Sequence, residues 1–538
     1  MHVTLRTAGG VVVAVMAVAV TLSAGQINFP DGAPVPREGG GGGAGSDVDD
    51  SIFFPTEKPL PEVSCTSYAG VQGTCRLLVQ CATFFAEIAE LSRSPCTIQE
   101  GQQGVCCPPT KRPSQDVGGL ISKIPEDEPF VPVPELQLPE INHACEKGIQ
   151  ELNQQEIFEE ELLKKNIIAK KGSPVALHAM LFQTRNDIVQ QSKDAMKSVA
   201  ASVNLVKEFN LTKAQGEFGL PRFGIQNTVI ADTCRKEPLC PDTKYRAFDA
   251  TCNNRRNKDW GRAGTAFQRI LLPDYDDGVS VPREKSVSGG PLPSARAISS
   301  RIILDRHSIY DNFTLMIMQW GQFLDHDITH TPITKGKNMS DITCCKDGKP
   351  RPPDETHPAC YAIEIPENDP FFKQFGQVCM EFVRSLPAMR PKCNFGPREQ
   401  MNQITSFIDA SNVYGSTLEE ANELRTFSGG QLKMDTQGRS LLPPKPSECA
   451  NRAKQEFCFL AGDSRVNEQP ELTVLHTIWM RQHNKLATEL ARLNSGWDDE
   501  VLYQEARRIL AAQMQHITYN EYLPIVLGKY QHITVVFG

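Results

Sequence analysis

Cysteine content constrains this 538-residue chain more than any other feature: there are seventeen. Six of them, Cys65, Cys75, Cys81, Cys96, Cys106 and Cys107, fall within one short stretch. A segment that small cannot bury enough apolar surface to fold alone, so covalent cross-links are expected to hold it. Spacing by itself leaves every pairing open. Zinc binding would be the competing use of such a cluster, but the stretch contains no histidine. The start of the chain also points away from thiol chemistry. Arg6 precedes the apolar run Val11–Val20, and the small residues Ser23, Ala24 and Gly25 follow. That layout predicts a signal peptide over residues 1–25, the run being short for a bilayer span; an uncleaved signal anchor is the alternative. Export to an oxidising compartment favours disulfides. The odd total leaves at least one thiol without an intramolecular partner, which points to an intermolecular bridge or to further chain.

Length predicts more than one folded unit, and a hydrophobic fraction of 40% suffices for a sizeable core. The net charge of −8 gives no support for nucleic-acid binding, and no later run is apolar enough for a membrane span. Residues 26–62, with Gly39–Gly43 at their centre, are expected to form a flexible linker, and 110–142 a proline-rich, acidic one. Helical spacing over Ile149–Lys171 and Ala176–Phe209, interrupted at Gly172-Ser173-Pro174, predicts a helical pro-region or extension over 143–230. Lys111-Arg112 and Lys170-Lys171 are candidate processing sites. Sequons at Asn210, Asn312 and Asn338 fit an exported glycoprotein. From residue 231 to 538 helical periodicity dominates and strand-like alternation is scarce, so the fold class is expected to be mainly α.

Three segments carry chemistry. Met316–Asp327 reads as one helix, ended before Pro332. Gln322 and His326 share a face, while Asp325 and Asp327 diverge to either side of the histidine. A lone histidine on an apolar helix is normally a core residue; two flanking aspartates, costly to bury unpartnered, argue for more. The second segment is Thr405–Ser411. In an extended loop Thr405, Asp409 and Ser411 can converge, and with the carbonyls of Thr405 and Phe407 they would suit a hard cation such as calcium. An ordinary turn is the plainer reading. The third runs from Ala461 to Leu472, presenting Arg465 and Glu468 just before a helix that Pro470 suits as its first turn. A surface ion pair is its plainer reading.

These blocks, in this order, resemble the animal haem peroxidase family. So do Cys240-Pro241, Lys244-Tyr245-Arg246, Cys252–Arg256, Tyr275–Gly278 and Tyr503–Arg507 continuing to Ile517-Thr518-Tyr519. The likeness covers about Cys240 to Gly528. The six-cysteine stretch, 63–109, with its Cys106-Cys107 pair before Pro108-Pro109, resembles the clip domain of arthropod extracellular proteins. That second resemblance implies pairing of first with fifth, second with fourth and third with sixth cysteine.

The first resemblance implies a role for each candidate. His326 matches the distal histidine, a general base toward hydrogen peroxide; Arg465 matches the distal arginine, and Gln322 would order pocket water or a halide. Asp325 and Glu468 match the carboxylates that ester-link haem b. Gln469 stands where a family member has the methionine of a third, sulfonium link, so that link is expected to be absent. Asp327 matches a calcium ligand, joined by Thr405, Phe407, Asp409 and Ser411. The family's axial histidine lies on a later helix. None of His476, His483, His516 and His532 sits in its context, and the last residues, Tyr530–Gly538, leave the family pattern. The site is therefore expected to be incomplete in this sequence, read as an N-terminal part of the peroxidase domain. The implied function is a secreted peroxidase oxidising a halide or phenolic donor, in extracellular coat cross-linking or immunity, with extracellular protein partners through the clip-like segment. The alternative is a non-catalytic adhesion or cascade-binding protein, although no Arg-Gly-Asp or Lys-Gly-Asp tripeptide is present.

Overall fold

The computed structural model describes residues 63–67, 70, 72–76, 93–98, 103–107, 131–240, 242–304, 313–435, 438–445 and 458–528. The leader, the glycine-rich linker, most of the second linker, Lys111-Arg112, Asn312, Cys81, Cys449 and the tail with His532 lie outside them.

The chain divides into two compact units. The described part of the cysteine-rich segment is a four-stranded antiparallel sheet of β1 (Val63–Thr66), β2 (Gln72–Arg76), β3 (Pro95–Thr97) and β4 (Gln103–Cys107), ordered β1-β2-β4-β3. Register places Cys75 opposite Cys106. Two disulfides cross-link the strands, Cys65–Cys106 and Cys75–Cys96, which are the first–fifth and second–fourth pairings. Cys107 is disulfide-bonded as well.

The larger unit is mainly α. Its first helices are α1 (Leu138–Lys164), α2 (Pro174–Leu181) and α3 (Asn186–Glu208). α1 starts well before the expected boundary because Gln137 and Glu140 form a reciprocal capping box there, with the Gln137 N–H donating to Glu140 Oε2 at 2.8 Å. The expected second helix is split in two. Between α2 and α3 the backbone is recruited by distant groups: Gln403 Nε2 donates to the Gln183 carbonyl at 2.7 Å, and Thr184 Oγ1 to the Ile333 carbonyl at 2.9 Å. Tertiary hydrogen bonds outbid local propensity at this point.

α1 and α3 pack closely enough that a Cβ on Gly148 would lie 2.9 Å from the Ala201 amide nitrogen. Their inner faces share one core with residues from the rest of the unit, including Leu220, Ile225 and Phe395. Cys145 lies in that core, fully buried, and is the free cysteine among the described residues. Burial pushes its thiol up to about 11, so it is a packed core group rather than an available bridge. Disulfides between described residues that tie down the loops are Cys234–Cys393, Cys240–Cys252, Cys344–Cys360 and Cys345–Cys379, and Cys458 is disulfide-bonded as well. Asn210 and Asn338 are exposed. No described helix is long and apolar enough to cross a membrane.

A small antiparallel sheet, β5 (Thr265–Ala266), β6 (Pro387–Ala388) and β7 (Glu399–Asn402), is ordered β6-β7-β5. It leads into the short helix α5 (Ser411–Tyr414), which packs with α4 (Met316–Ile328) and α6 (Pro470–Leu493). α7 (Asp499–Ile517) covers α6. At this junction His483 is fully buried. Its Nδ1 accepts from the Tyr414 hydroxyl at 2.7 Å, and its Nε2 donates to the Gly430 carbonyl at 2.8 Å. That pattern needs a neutral ring, and burial pushes its pKa down to about 4.

Replacing Gly148 with alanine is expected to lower stability by about 1–3 kcal/mol through overpacking, against the roughly 1 kcal/mol that alanine gains in an open helix. A raised melting temperature in that variant would contradict the close approach. Protonation of His483 gives a second test. As pH falls from about 6.5 toward 4, the unfolded chain takes up a proton that the folded ring refuses, so stability is lost over that window. Urea unfolding followed across this range should show a shallower pH slope in the His483→Gln variant; equal slopes would remove His483 from the effect.

Candidate active site

Two segments meet around His326, and a buried ion pair fixes their relation. Helix α4 carries Gln322, Asp325, His326 and Asp327. A short turn, Ser464–Asn467, runs into α6 and brings Arg465 and Glu468. Asp463 caps that turn, accepting from the Arg465 N–H at 2.9 Å. Its two oxygens then grip the Arg465 side chain, Oδ1 accepting from Nε and Oδ2 from Nη2, both at 2.8 Å. Nη2 also donates to the Thr329 carbonyl at 2.9 Å and the His326 carbonyl at 3.4 Å, at the end of α4. Arg465 and Asp463 are each 3% exposed. Burial alone would raise the Asp463 carboxyl; the Arg465 guanidinium beside it holds it well below the usual carboxylate range. With Nε and Nη2 committed to one carboxylate, the fork is turned so that Nη1 faces away from Asp463.

His326 is 4% exposed, and its Nε2 stands 3.7 Å from Glu468 Oε2. Burial, then the adjacent Arg465 charge, depress its pKa to about 3. The ring is therefore neutral near pH 7; its Nδ1 has no partner among the described residues. Gln322 Nε2 donates to the same Glu468 oxygen at 3.2 Å. The Gln322 carbonyl in turn accepts from Gln319 Nε2 at 3.2 Å and from Gln469 Nε2. Gln469 thus locks the rotamer of Gln322. Asp325 and Glu468 are exposed, and no lysine or arginine pairs with either among the described residues. Asp325 accepts from the Thr329 hydroxyl at 2.7 Å.

On the far side of α4, Asp327 is fully buried. Its carboxylate accepts from the Ala410 amide at 3.2 Å and from the Ser411 hydroxyl at 3.1 Å, while Asp409 Oδ1 accepts from Thr405 Oγ1 at 2.9 Å and from the Ser411 amide at 3.1 Å. Ala410 adopts a left-handed backbone (φ +65°), which turns the loop into α5 at this point. Burial, then the Asp409 charge, push the Asp327 carboxyl well up, and burial raises Asp409 to about 6. Asp409 Oδ2 is buried without a hydrogen-bond partner. Two buried acids with an orphaned oxygen and surrounding hydroxyls form a donor set suited to a hard cation. No cluster of three or more His, Cys, Asp or Glu that could hold a metal occurs among the described residues, so hydroxyl and carbonyl oxygens would complete such a shell. The structure brings Asp327, Thr405, Asp409 and Ser411 together. Phe407 is half-buried, its ring against Gly261.

Several positioning residues escape a reading of the sequence. Asn402, at the end of β7, accepts from the His330 amide at 2.8 Å and donates to the Ile328 carbonyl at 2.9 Å, fixing the chain as it leaves α4. Asn412 donates to the Phe323 carbonyl at 2.8 Å. Only Asp463, two residues before Arg465, gives any local signal. Of the later histidines, His476 packs edge-on against Phe323 at 5.0 Å and His516 is exposed.

The family model for animal haem peroxidase matches residues 245–536, more than half of the chain. Chorion peroxidase of Aedes aegypti is 36% identical over 468 residues, covering 84% of this chain and 57% of its own length. The peroxidasin homolog of Homo sapiens is 40% identical over 323 residues, covering 54% of this chain and 21% of its own. Myeloperoxidase of Homo sapiens is 42% identical over 310 residues, covering 54% and 40%. The chain thus spans less than two thirds of the length of each of these relatives. The matched region contains both α4 and the Arg465 turn, and on that footing the chain belongs to the animal haem peroxidase family.

Proposed function

We propose that this chain carries the peroxide-handling half of a haem peroxidase site, acting on hydrogen peroxide with a halide or phenolic donor. The observation that carries this reading is a buried, neutral His326 beside an arginine whose rotation is fixed by Asp463. Haem b, when bound, would supply the two-electron chemistry that cleaves the O–O bond. His326 would accept the proton from one peroxide oxygen and return it to the other. Arg465 would stabilise negative charge as that bond breaks, using donors not spent on Asp463. Gln322, held by Gln319 and Gln469, would orient water or a halide. The two exposed carboxylates without cationic partners, Asp325 and Glu468, suit ester attachment of the haem edges, and Gln469 cannot form a sulfonium. Asp327, Thr405, Phe407, Asp409 and Ser411 would hold calcium, with Phe407 contributing only its carbonyl. Tyrosine cross-linking in an extracellular coat, or immunity, fits the relationship to chorion peroxidases, with the clip-like sheet as the contact for extracellular proteins.

Absorption spectroscopy tests the site directly. With an axial iron ligand supplied, the haem-loaded chain should show a Soret band that shifts on adding peroxide, and His326→Ala should slow that shift by about 10²–10⁴-fold while leaving the fold intact. A chain that takes up no haem would instead favour the adhesion or cascade-binding role. The cation proposal has its own readout. A strong chelator should lower the melting temperature and weaken haem retention, with calcium restoring both, because the ion would relieve the repulsion of Asp327 and Asp409. Identical melting curves with chelator and with calcium would defeat it.

A further inference from the structure

The larger unit contains a cavity of about 650 Å³ between α1, α3 and the segments around 334–339 and 384–387. None of His326, Arg465 or Gln322 lines it. Its volume falls in the range of small-molecule sites, roughly 300–1,000 Å³. One wall is apolar, built from Ile149, Leu152, Val189, Met196 and Leu386. Elsewhere the cavity is lined by two arginines, neither paired with a carboxylate among the described residues. Arg398 is 5% exposed; its Nη2 donates to the Ser385 carbonyl at 2.6 Å, its Nη1 faces Met196 Sδ at 3.7 Å, and its Nε has no partner. Arg384 donates through Nη2 to the Ser280 carbonyl at 2.6 Å and through Nη1 toward the Ser280 hydroxyl at 3.4 Å. Neither arginine has an ion-pair partner among the described residues. This differs from Arg269 and Arg390 nearby, which both pair with Glu399.

Burying a cation without a counter-charge is costly, and a second cation beside it adds to the cost. The strain shows in Arg398, whose pKa is pushed down to about 9 by burial and then by Arg384. Two acids line the cavity and neither is spare: Lys193 and Lys337 share Glu156, and Glu159 Oε1 accepts from Gln155 Nε2 at 2.9 Å and lies 3.1 Å from His357 Nε2.

We infer that this cavity is a binding site for an amphiphile with one anionic head, a carboxylate or sulfonate, set against Arg384 and Arg398, and an apolar body lying along α1 and α3. The head would supply the missing counter-charge, and the body would cover the exposed apolar wall. A neutral or cationic molecule of the same shape would leave both guanidinium groups uncompensated.

Fluorescence titration of the full chain with anilinonaphthalene sulfonate, which joins such a head to an aromatic body, tests this. Saturable binding to one site is expected, competed by dodecanoate and not by dodecyltrimethylammonium. Leu152→Trp, which fills the apolar wall, and Arg384→Gln, which removes the half-buried charge, should each weaken binding about tenfold or more. Unchanged circular dichroism would show that each variant is folded, and either one suffices for the comparison. Non-saturable fluorescence, affinity unchanged in a folded variant, or equal competition by the cationic amphiphile would overturn the proposal. The titration needs no haem, so its outcome is separate from that of the peroxidase reading.

Discussion

The buried pair of Asp463 and Arg465 is the interaction on which the rest of the site depends. It joins two segments far apart in sequence, because the same guanidinium that binds Asp463 also takes the last carbonyls of α4 at His326 and Thr329. Removing one partner of a buried pair costs about 3–5 kcal/mol, since the other is left charged and dry. Here the cost would fall on geometry as well. Without the carboxylate, the arginine could rotate and the turn bearing Glu468 would lose its register against Gln322 and His326. His330 adds a brace, its Nδ1 lying 3.7 Å from Asp463 Oδ2.

Around that clamp the polar residues of neighbouring loops act on the backbone of α4 from three directions. Asn402 holds the chain where it leaves the helix, Asn412 bonds the Phe323 carbonyl, and the Ser411 hydroxyl donates to the Asp327 carbonyl at 3.0 Å. The helix is therefore positioned mostly through its main chain. Its side chains Gln322 and His326 remain available to a ligand, while the helix that carries them is held by hydrogen bonds to its main chain. Separating support from chemistry in this way keeps a reactive face precise.

What could be read from the sequence follows from the range of the forces involved. α4 and α6 were legible because periodicity, Pro332 and Pro470 are local signals, and the shared face of Gln322 and His326 follows from helical geometry alone. The joining of Arg465 to His326 was legible only by resemblance to a family. The clip-like pairings Cys65–Cys106 and Cys75–Cys96 likewise came from resemblance, since spacing does not select among pairings. Neither route could reveal the break between α2 and α3, which depends on Gln403, a residue distant in the chain. The odd cysteine shows the same limit. Counting thiols predicts that at least one lacks a partner; the fold shows that, among the described residues, it is Cys145, sealed in the core shared by α1 and α3.

Charge balance gives the final contrast among the buried clusters. Asp463 and Arg465 satisfy one another within the chain, and the consequence is a carboxyl held strongly ionised. Asp327 and Asp409 have hydroxyl and amide donors but too little positive charge, so their carboxyls drift upward and one oxygen stays unbonded. Arg384 and Arg398 show the opposite imbalance, carbonyl acceptors without an anion. A chain that can build the first arrangement is not short of ways to neutralise buried charge. Where it leaves an excess of one sign beside hydroxyls, or beside an open cavity, the physical economy of the fold favours a compensating charge brought by another species: a hard cation at the acids, and an anionic head at the arginines.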